Sequence, residues 1–462
     1  MKIFSLGAVS VISTLFLVGT VHAEALVDAL VSAYTTNPTL QARRAQSRAA
    51  DEAVPQALSN WRPTVTASGD LGRGAYNSNE AVPQSQIGTP RDASLTITQT
   101  LYRGGRTVAA TAQAESGVQA DRAQLTGTEQ SVLLDAATAY VNVVRDMAVL
   151  KLNINNEQVL QRQLQASQDR FRVGEITRTD VAQSEARLAG ATAGRIKSEG
   201  DLEASRSSYE RVVGVAPQSL LPPESIKGLP DSVDAAVAQA IKDNPNLVAA
   251  QYAHDAANHG IDVVRGALLP TVSLKGDVQR SFDQASHGTW ARQAEAMLNV
   301  SVPLYEQGAV YSQLRQAKNT AGQQRLQVDD TRRQVIDATH EAWESLQSAR
   351  AQIVSLRAQI EAANIALEGV QRESQVGSRT VLDVLNAEQE LLNARVGLEQ
   401  AERSERVAEF TLMNATGQLT ARGLALPVER YDPTIHYHEV RDQWFGDNPT
   451  ATKDAAEPAK AK

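Results

Sequence analysis

The sequence predicts a mainly α-helical protein with a small β part. The first observation is that proline is absent between Pro90 and Pro217, and again between Pro303 and Pro427. Proline interrupts helices because it lacks a backbone N–H and clashes with the preceding turn. Both stretches are rich in Ala, Leu, Gln, Glu and Arg, which favour long helices. The second observation is a set of four segments in which apolar and polar residues alternate, as in strands.

The third observation is an internal duplication with a period of about 200 residues. The start of each copy is marked by the same pair of residues, Asn37-Pro38 and Asn244-Pro245. Later matches are Leu101-Tyr102 with Leu304-Tyr305, Val173-Gly174 with Val376-Gly377, and Gly214 with Gly417. This period is too long for a solenoid repeat, so we expect each copy to be half of one protomer. The copies are predicted to span residues 24–228 and 229–428.

Residues 1–23 have the composition of a secretory signal peptide. Lys2 precedes an apolar run from Ile3 to Val18, and the small residues of Val21-His22-Ala23 suit a signal peptidase. A membrane anchor is the alternative, but the apolar run is short for one. We expect cleavage after Ala23.

The alternating segments predict two β-hairpins, at about residues 63–101 and 270–304. Apolar residues on one face of the first hairpin are Val65, Ala67, Gly69, Leu71, Ala93, Leu95, Ile97 and Leu101. Those of the second are Val272, Leu274, Gly276, Val278, Ala294, Ala296, Leu298, Val300, Val302 and Leu304. Each segment has about 10 residues, the length with which a tilted strand crosses a bilayer. An ordinary half-buried sheet would show the same alternation. The first hairpin carries four extra residues, which predicts a longer loop near residues 74–90.

Aromatic residues at the strand ends favour a sheet that faces a membrane. Such residues concentrate at the two membrane interfaces, and they make up only 4% of this chain. One predicted girdle consists of Trp61, Tyr102 and Tyr305, and the other of Tyr76, Phe282 and Trp290. Four strands cannot close on themselves, and lipid tolerates no open sheet edge. A membrane location therefore requires several copies of the chain to assemble.

A long helical hairpin follows each pair of strands, at about residues 105–214 and 308–417. In the second copy a heptad seam runs through Leu346, Ala349, Ile353, Leu356, Ile360, Ala363, Leu367 and Val370. The first helix of each hairpin would be about 100 Å long at 1.5 Å per residue. An ordinary antiparallel bundle or a soluble coiled coil would show the same seams.

Glycines and threonines mark the turns and ends of these hairpins. Gly174 and Gly377 are predicted to form the two tip turns. The returning helices are expected to begin around Thr179 and Thr380 and to end at caps formed by Gly214 and Gly417.

Composition excludes several classes of function. The 53 acidic residues outnumber the 45 basic ones and no basic stripe is present, so no nucleic-acid partner is expected. The absence of cysteine excludes disulfides, thiolate metal sites and a cysteine nucleophile. The chain contains none of the motifs GxSxG, HExxH, P-loop and GxGxxG. We therefore expect no enzyme activity, no catalytic residue and no cofactor.

Two histidine pairs are the remaining candidates for metal binding. His254 and His259 are five positions apart and do not share a helix face, so a surface pair is the simpler interpretation. The sequence His436-Tyr437-His438-Glu439 could bind a metal adventitiously, but we predict no metal site. Residues 429–462 lack periodicity and are interpreted as a C-terminal extension that is disordered from residue 447 onwards.

The arrangement resembles the TolC family of outer-membrane efflux and secretion channels over residues 24 to about 428. The most specific segment is VGSRTVLDVLNA at Val376–Ala387, which is similar to the family's helix–turn–helix at the periplasmic tip. Its counterpart in the first copy is Val173–Val181. The resemblance implies a homotrimer in the lipid of a Gram-negative outer membrane. Four strands per chain would form a twelve-stranded transmembrane β-barrel, and the helices an α-barrel in the periplasm. It also implies passive conduction, in multidrug efflux, type I secretion or both, with an inner-membrane ABC or RND transporter docked through a periplasmic adaptor (membrane fusion protein).

The resemblance also assigns roles to residues at the predicted tip. Asp383 matches an aspartate that narrows the tunnel mouth, whereas Asn386 stands where the family has a second one. Arg379 matches an arginine that ties neighbouring helices together, and Ser374 replaces the tyrosine of a second tether. The partner segment of that arginine corresponds to Thr179 and Asp180. These matches imply a constriction with one charged ring and a mouth that opens more easily. Helix capping is the alternative role for the two aspartates.

Two other functions stay open at this point. A periplasmic adaptor also has a long helical hairpin, but its hairpin is flanked by soluble β domains, and duplicated pairs of amphipathic strands argue against it. A structural coiled-coil protein of the envelope would explain the heptad seams without using the strands.

Overall fold

The computed structural model of the chain describes residues 25–77, 85–226, 228–284 and 288–447. The predicted signal peptide and most of the segment predicted to be disordered lie outside these ranges. Helices predominate, and a small antiparallel sheet is attached to one end of two long helical hairpins. Nowhere in these ranges is a helix both long enough and apolar enough to cross a membrane.

The two copies share one order of elements. The first contains α1 (Leu26–Thr36), α2 (Pro38–Asp51), α3 (Ala53–Leu58), β1 (Thr64–Leu71), β2 (Gly74–Asn77), β3 (Ser85–Gly88), β4 (Arg91–Arg103), α4 (Arg106–Arg172) and α5 (Arg178–Val213). The second contains α6 (Val233–Asp243), α7 (Pro245–Arg265), β5 (Thr271–Phe282), β6 (Trp290–Ser301), α8 (Ala309–Gln375) and α9 (Val381–Ala415), and α10 (Pro433–Val440) follows it. The long helices α4 and α8 have 67 residues each, which corresponds to about 100 Å.

The four main strands form one antiparallel sheet in the order β1-β4-β5-β6. The central pair, β4 and β5, joins the two copies, with a register shift between Thr100 and Tyr102. Strand β6 ends at Ser301, before the predicted limit at 304, because Pro303 has no N–H to donate to a ladder. The extra residues of the first hairpin form the separate β2–β3 ladder.

The register places apolar and polar residues on opposite faces of the sheet. One cross-strand row joins Val65, Ile97, Gly276 and Ala296, and the next row on that face joins Ala67, Leu95, Val278 and Ala294. The row between them joins Thr66, Thr96, Asp277 and Glu295 on the other face. The apolar side chains are exposed in the single chain, with Val65 63% and Leu298 62% accessible.

Each long hairpin is an antiparallel pair of helices, α4 with α5 and α8 with α9. Within α8 the predicted seam faces α9: Leu346 and Ile353 are buried, and the side chain of Leu356 approaches Gly397. Helix α4 also packs against α7 and α9, so the two hairpins lie side by side.

The two Asn-Pro pairs join helices end to end. The side-chain oxygen of Asn37 accepts a hydrogen bond from Thr39 N at 2.9 Å, while its Nδ2 donates to Val212 O, also at 2.9 Å. Asn244 does the same in the second copy, with Asn246 N at 3.0 Å and Ala415 O at 2.9 Å. One side chain thus caps the start of a short helix and the end of a long one. This arrangement links α2 to α5 and α7 to α9.

The C-terminal extension contains a helix that the sequence did not predict. Helix α10 packs against α2, and His436 Nδ1 lies 3.1 Å from Asp51 Oδ2 inside the protein. His436 is therefore buried in a structural contact. With eight residues, α10 is too short to show a helical period in the sequence.

Candidate functional site

The hairpin tips carry the predicted turns. Gly174 and Gly377 have φ angles of 77° and 82°, a left-handed conformation that favours glycine. In each turn the first residue after the glycine donates its N–H back to a carbonyl of the preceding helix, at Arg170 and Glu373. The flanking Val173 and Val376 are 77% and 81% exposed. Each tip therefore presents an exposed valine side chain to its surroundings.

Both returning helices begin with the same capping box. Thr380 Oγ1 accepts from Asp383 N at 3.2 Å, while Asp383 Oδ2 accepts from Thr380 N and Oγ1 at 3.0 and 2.8 Å. In the first hairpin Thr177 and Asp180 make the equivalent bonds. Helix α5 consequently begins at Arg178, and Thr179 lies in its first turn instead of at its start.

Asp383 is held as a carboxylate. The backbone N–H and the hydroxyl of Thr380 lower its pKa, and the charge of Arg379 adds to this effect. Both bonds from Thr380 end on Oδ2, and no hydrogen bond to Oδ1 is present in the described part of the chain. Capping therefore leaves one carboxylate oxygen available.

Arg379 bonds within its own hairpin. Its Nε donates to Glu373 Oε2 at 2.9 Å, which raises the pKa of the arginine. Among residues that the structure describes, no hydrogen bond joins Arg379 to Thr179 or Asp180. In the single chain this arginine fixes the α8–α9 turn.

Asn386 makes a contact between the hairpins that the sequence did not predict. Arg187 of α5 donates from its terminal nitrogen to Asn386 Oδ1 of α9 at 2.7 Å. Arg187 follows Asp180 by seven residues and therefore lies on the same face of α5, two turns later. This helical spacing is the feature of the sequence from which Arg187 could have been predicted to lie near the site. Near this bond, Leu160 of α4 packs with Val381 and Leu385 of α9. A hydrogen bond and an apolar cluster thus join the two hairpins near the tip.

The predicted interface aromatics lie at two levels of the sheet. Phe282 and Trp290 are cross-strand partners at the end of β5–β6 away from the helices, and the guanidinium groups of Arg280 and Arg292 lie near their rings. At the helical end, Trp61, Tyr102 and Tyr305 are 43%, 42% and 82% exposed. Tyr76 belongs to β2 by its backbone pairing, and its side chain lies outside the described part.

Comparison with known sequences identifies a family. The family described as "Outer membrane efflux protein" matches residues 29–215 and 236–418, one match in each copy. Outer membrane efflux protein BepC of Brucella suis biovar 1 is 37% identical over 428 residues, which cover 92% of this chain and 92% of that protein. Outer membrane protein TolC of Escherichia coli K12 is 25% identical over 422 residues, covering 87% and 84%.

A solved structure shares the fold. The CmeC outer membrane channel of Campylobacter jejuni superposes with a TM-score of 0.77 at 16% identity, covering 90% of this chain and 89% of that one. The resemblance to the TolC family is confirmed, and the comparisons favour a channel over an adaptor or a structural coiled coil. Proteins of this family are channels, not enzymes. The chain belongs to the outer membrane efflux protein family.

Proposed function

We propose that three copies of this chain form a channel that crosses the outer membrane of a Gram-negative cell and continues through the periplasm as a helical tunnel. The sheets contribute to a twelve-stranded β-barrel, and the hairpins α4–α5 and α8–α9 form an α-barrel. The channel conducts passively, for drug efflux, type I secretion or both. An inner-membrane ABC or RND transporter supplies the energy and docks through a periplasmic adaptor.

The observation that carries this proposal is a sheet with an exposed apolar face and two unpaired edges. Within the described ranges, β1 pairs only with β4, and β6 pairs only with β5. Lipid accepts apolar side chains but no unpaired backbone groups, so the edges must pair with other copies. Joining β1 of one copy to β6 of the next satisfies both edges and leaves the apolar face in lipid.

The opposite face of the sheet suits an aqueous lumen. Thr96 Oγ1 donates to Asp277 Oδ1 at 2.7 Å, and Gln279 Nε2 donates to Asp92 Oδ2 at 2.8 Å. Polar side chains that bond across strands are typical of a lumen face, because in a barrel the inward and outward residues alternate.

The periplasmic end is the proposed gate. Three symmetry-related Asp383 carboxylates form a ring at the narrowest point, in which each Oδ1 faces the pore while Oδ2 caps its helix. Asn386 lines the same constriction without adding charge. In this arrangement the predicted alternatives for Asp383, helix cap and pore charge, are compatible, because they use different oxygens of one carboxylate.

Tethers between helices close the mouth. Arg379 reaches the segment of Thr179 and Asp180 across the closed gate, and the bond from Arg187 to Asn386 acts as a further latch. Ser374 cannot supply the tether that a tyrosine makes in related channels, so fewer bonds oppose opening. The tip turns at Gly174 and Gly377 present Val173 and Val376 to the adaptor, which fits the exposure of these side chains.

Planar-bilayer recordings of the purified protein test this function. We expect mild-detergent extracts of outer membranes to contain a trimer, and the trimer to form ion-conducting pores with a preference for cations. Deletion of the gene should abolish drug export, secretion of a polypeptide, or both, and the two measurements separate the two kinds of cargo. A monodisperse monomer that forms no pore would contradict the proposal.

A further inference from the structure

We propose that the C-terminal extension places Trp444 and Phe445 in the periplasmic phospholipid surface of the outer membrane, as an aromatic anchor beside the base of the sheet. The position of the membrane in this inference rests on the proposed function. The anchor is separate from the strands and belongs to the segment that follows α10.

The first observation is the exposure of two adjacent large aromatic residues. Trp444 is 58% and Phe445 88% exposed, although both follow a helix that packs tightly against the protein. Removing apolar surface from water is favourable. Two neighbouring aromatic side chains that stay uncovered therefore indicate a contact surface for something apolar.

The second observation is their position relative to the sheet. Arg62 donates from Nη1 to Gln443 O at 2.6 Å, and its guanidinium lies 4.9 Å from the centre of the Trp444 ring. Arg62 is two residues before Thr64, the first residue of β1. Trp444 thus lies at the same end of the sheet as Trp61 and Tyr102, which belong to the predicted girdle at the helical end and, in the proposed channel, on the periplasmic side.

The third observation is that the extension is firmly attached. Asp51 accepts from Arg122 at 3.4 Å as well as contacting His436, and Asp51 and His436 are almost fully buried. The guanidinium of Arg122 also lies 5.1 Å from the Tyr437 ring. These contacts fix α10 on α2 and α4, so the segment behaves as a strap with a defined end.

The chemistry of this end matches a phospholipid surface. Tryptophan and phenylalanine occupy the interfacial region of bilayers, where an apolar ring meets polar headgroups. Arg62, beside Trp444, supplies a cation at the level of the lipid phosphates. A protein partner would also cover apolar rings, but the proximity to the interface aromatics favours lipid.

Fluorescence quenching in reconstituted vesicles tests the anchor. The chain has four tryptophans, at positions 61, 290, 343 and 444. Full-length protein is reconstituted in phosphatidylcholine vesicles carrying bromine near the headgroup or deep in the acyl chain. Three of these tryptophans, Trp61, Trp290 and Trp444, are expected at the membrane interface. We therefore expect Trp444→Phe to remove about a third of the emission that bromolipid quenches. Bromine near the headgroup should quench the Trp444 emission more strongly than bromine deep in the acyl chain.

Two further variants make the result specific. Trp343 packs against the core between α8 and α9, so Trp343→Phe should leave the lipid-quenched emission unchanged. Adding Phe445→Trp to Trp444→Phe should restore the lost share, because the new ring occupies the neighbouring exposed position.

Other outcomes would overturn the anchor. Quenching of Trp444 by aqueous iodide and not by bromolipid would place it in water. Protection from both quenchers would place it against protein, most simply a second copy. If Trp290→Phe also left lipid quenching unchanged, the sheet itself would not be in lipid and the proposed function would fail.

Discussion

In the proposed channel, Asp383 would serve both the fold and the pore. The hydrogen bonds from Thr380 end on one carboxylate oxygen and stabilise the ionised form. Asp180 makes the same bonds at the start of α5. The two aspartates therefore make equivalent helix caps, and the proposed tunnel gives them different positions.

We predict that the pore charge of Asp383 changes little with pH in the physiological range. In each chain the hydrogen bonds from Thr380 and the charge of Arg379 lower the pKa of Asp383 from its usual value of 3.8. Repulsion among three carboxylates in the proposed ring would raise this pKa, and the contacts with Thr380 and Arg379 oppose that rise, so we expect the carboxylates to stay ionised at pH 5. The hydrogen bonds from Thr380 to the Asp383 carboxylate stabilise the fold above the unfolded-state pKa. This contribution to stability is lost only as the pH falls through the folded-state pKa. We expect the cation preference in planar bilayers to be equal at pH 7 and pH 5.

Paired substitutions separate the two roles. Asp383→Asn should weaken one helix cap and abolish most of the cation preference and of the block by multivalent cations. Asp180→Asn should weaken the equivalent cap and leave the preference for cations largely unchanged. If the two variants had the same cation selectivity, Asp383 would act as a helix cap and not as a charge of the pore.

At the scale of elements, the Asn-Pro pairs do more than the sequence reveals. Asparagine before proline predicts a helix start, because the side chain caps the first turn and proline fits the first helical position. The duplication marked both pairs as equivalent. Their second role, donation to the ends of α5 and α9, joins residues that are more than 170 positions apart. Local patterns do not contain such contacts.

Loss of one such junction should destabilise the chain measurably. Asn244→Ala removes the cap on Asn246 N and leaves the carbonyl of Ala415 without its partner in a buried place. We expect a loss of about 1–3 kcal/mol in the free energy of unfolding. Chemical denaturation monitored by circular dichroism measures it. As a control, Asn246→Ala changes an exposed neighbouring residue and should alter the free energy of unfolding little. Equal losses of stability in the two variants would disprove the role of Asn244 as a junction.

The bond between Arg187 and Asn386 predicts how the hairpins respond at the tip. Arg187→Gln weakens a partly exposed contact of about 1 kcal/mol, so the mouth should open more often and the mean conductance should rise. The bond also changes the expectation for Asn386→Asp. Arg187 would pair with the new carboxylate, which takes the local charge of each chain from positive to neutral, so Asn386→Asp alone should raise cation preference and adding Arg187→Gln should raise it further. Equal cation preference in Asn386→Asp with and without Arg187→Gln would show that the two residues separate in the assembled channel.

At the scale of the whole molecule, the period of the internal duplication and the two proline-free stretches predicted the fold class. The alternation of the strands and the heptad seams are local signals, and the structure has strands and long helices in those segments. The β2–β3 ladder and α10 were not predicted, because elements of four and eight residues show no period. The attachment of α10 depends on Asp51 and Arg122, which the sequence separates from it by more than 300 positions.

The two-faced sheet leads to a prediction about assembly. Leu274 lies on the exposed apolar face, in a cross-strand row with Leu298. Arginine at this position in lipid costs about 2–4 kcal/mol near the midplane of the bilayer and less near its surfaces. Leu274→Arg should therefore lower the yield of outer-membrane trimer, measured on mild-detergent gels after membrane fractionation. Gln293→Arg introduces the same charge on the polar face and should assemble normally, because the lumen is hydrated. If Gln293→Arg blocked assembly while Leu274→Arg did not, the apolar face would line the channel and the assignment of the two faces would be reversed.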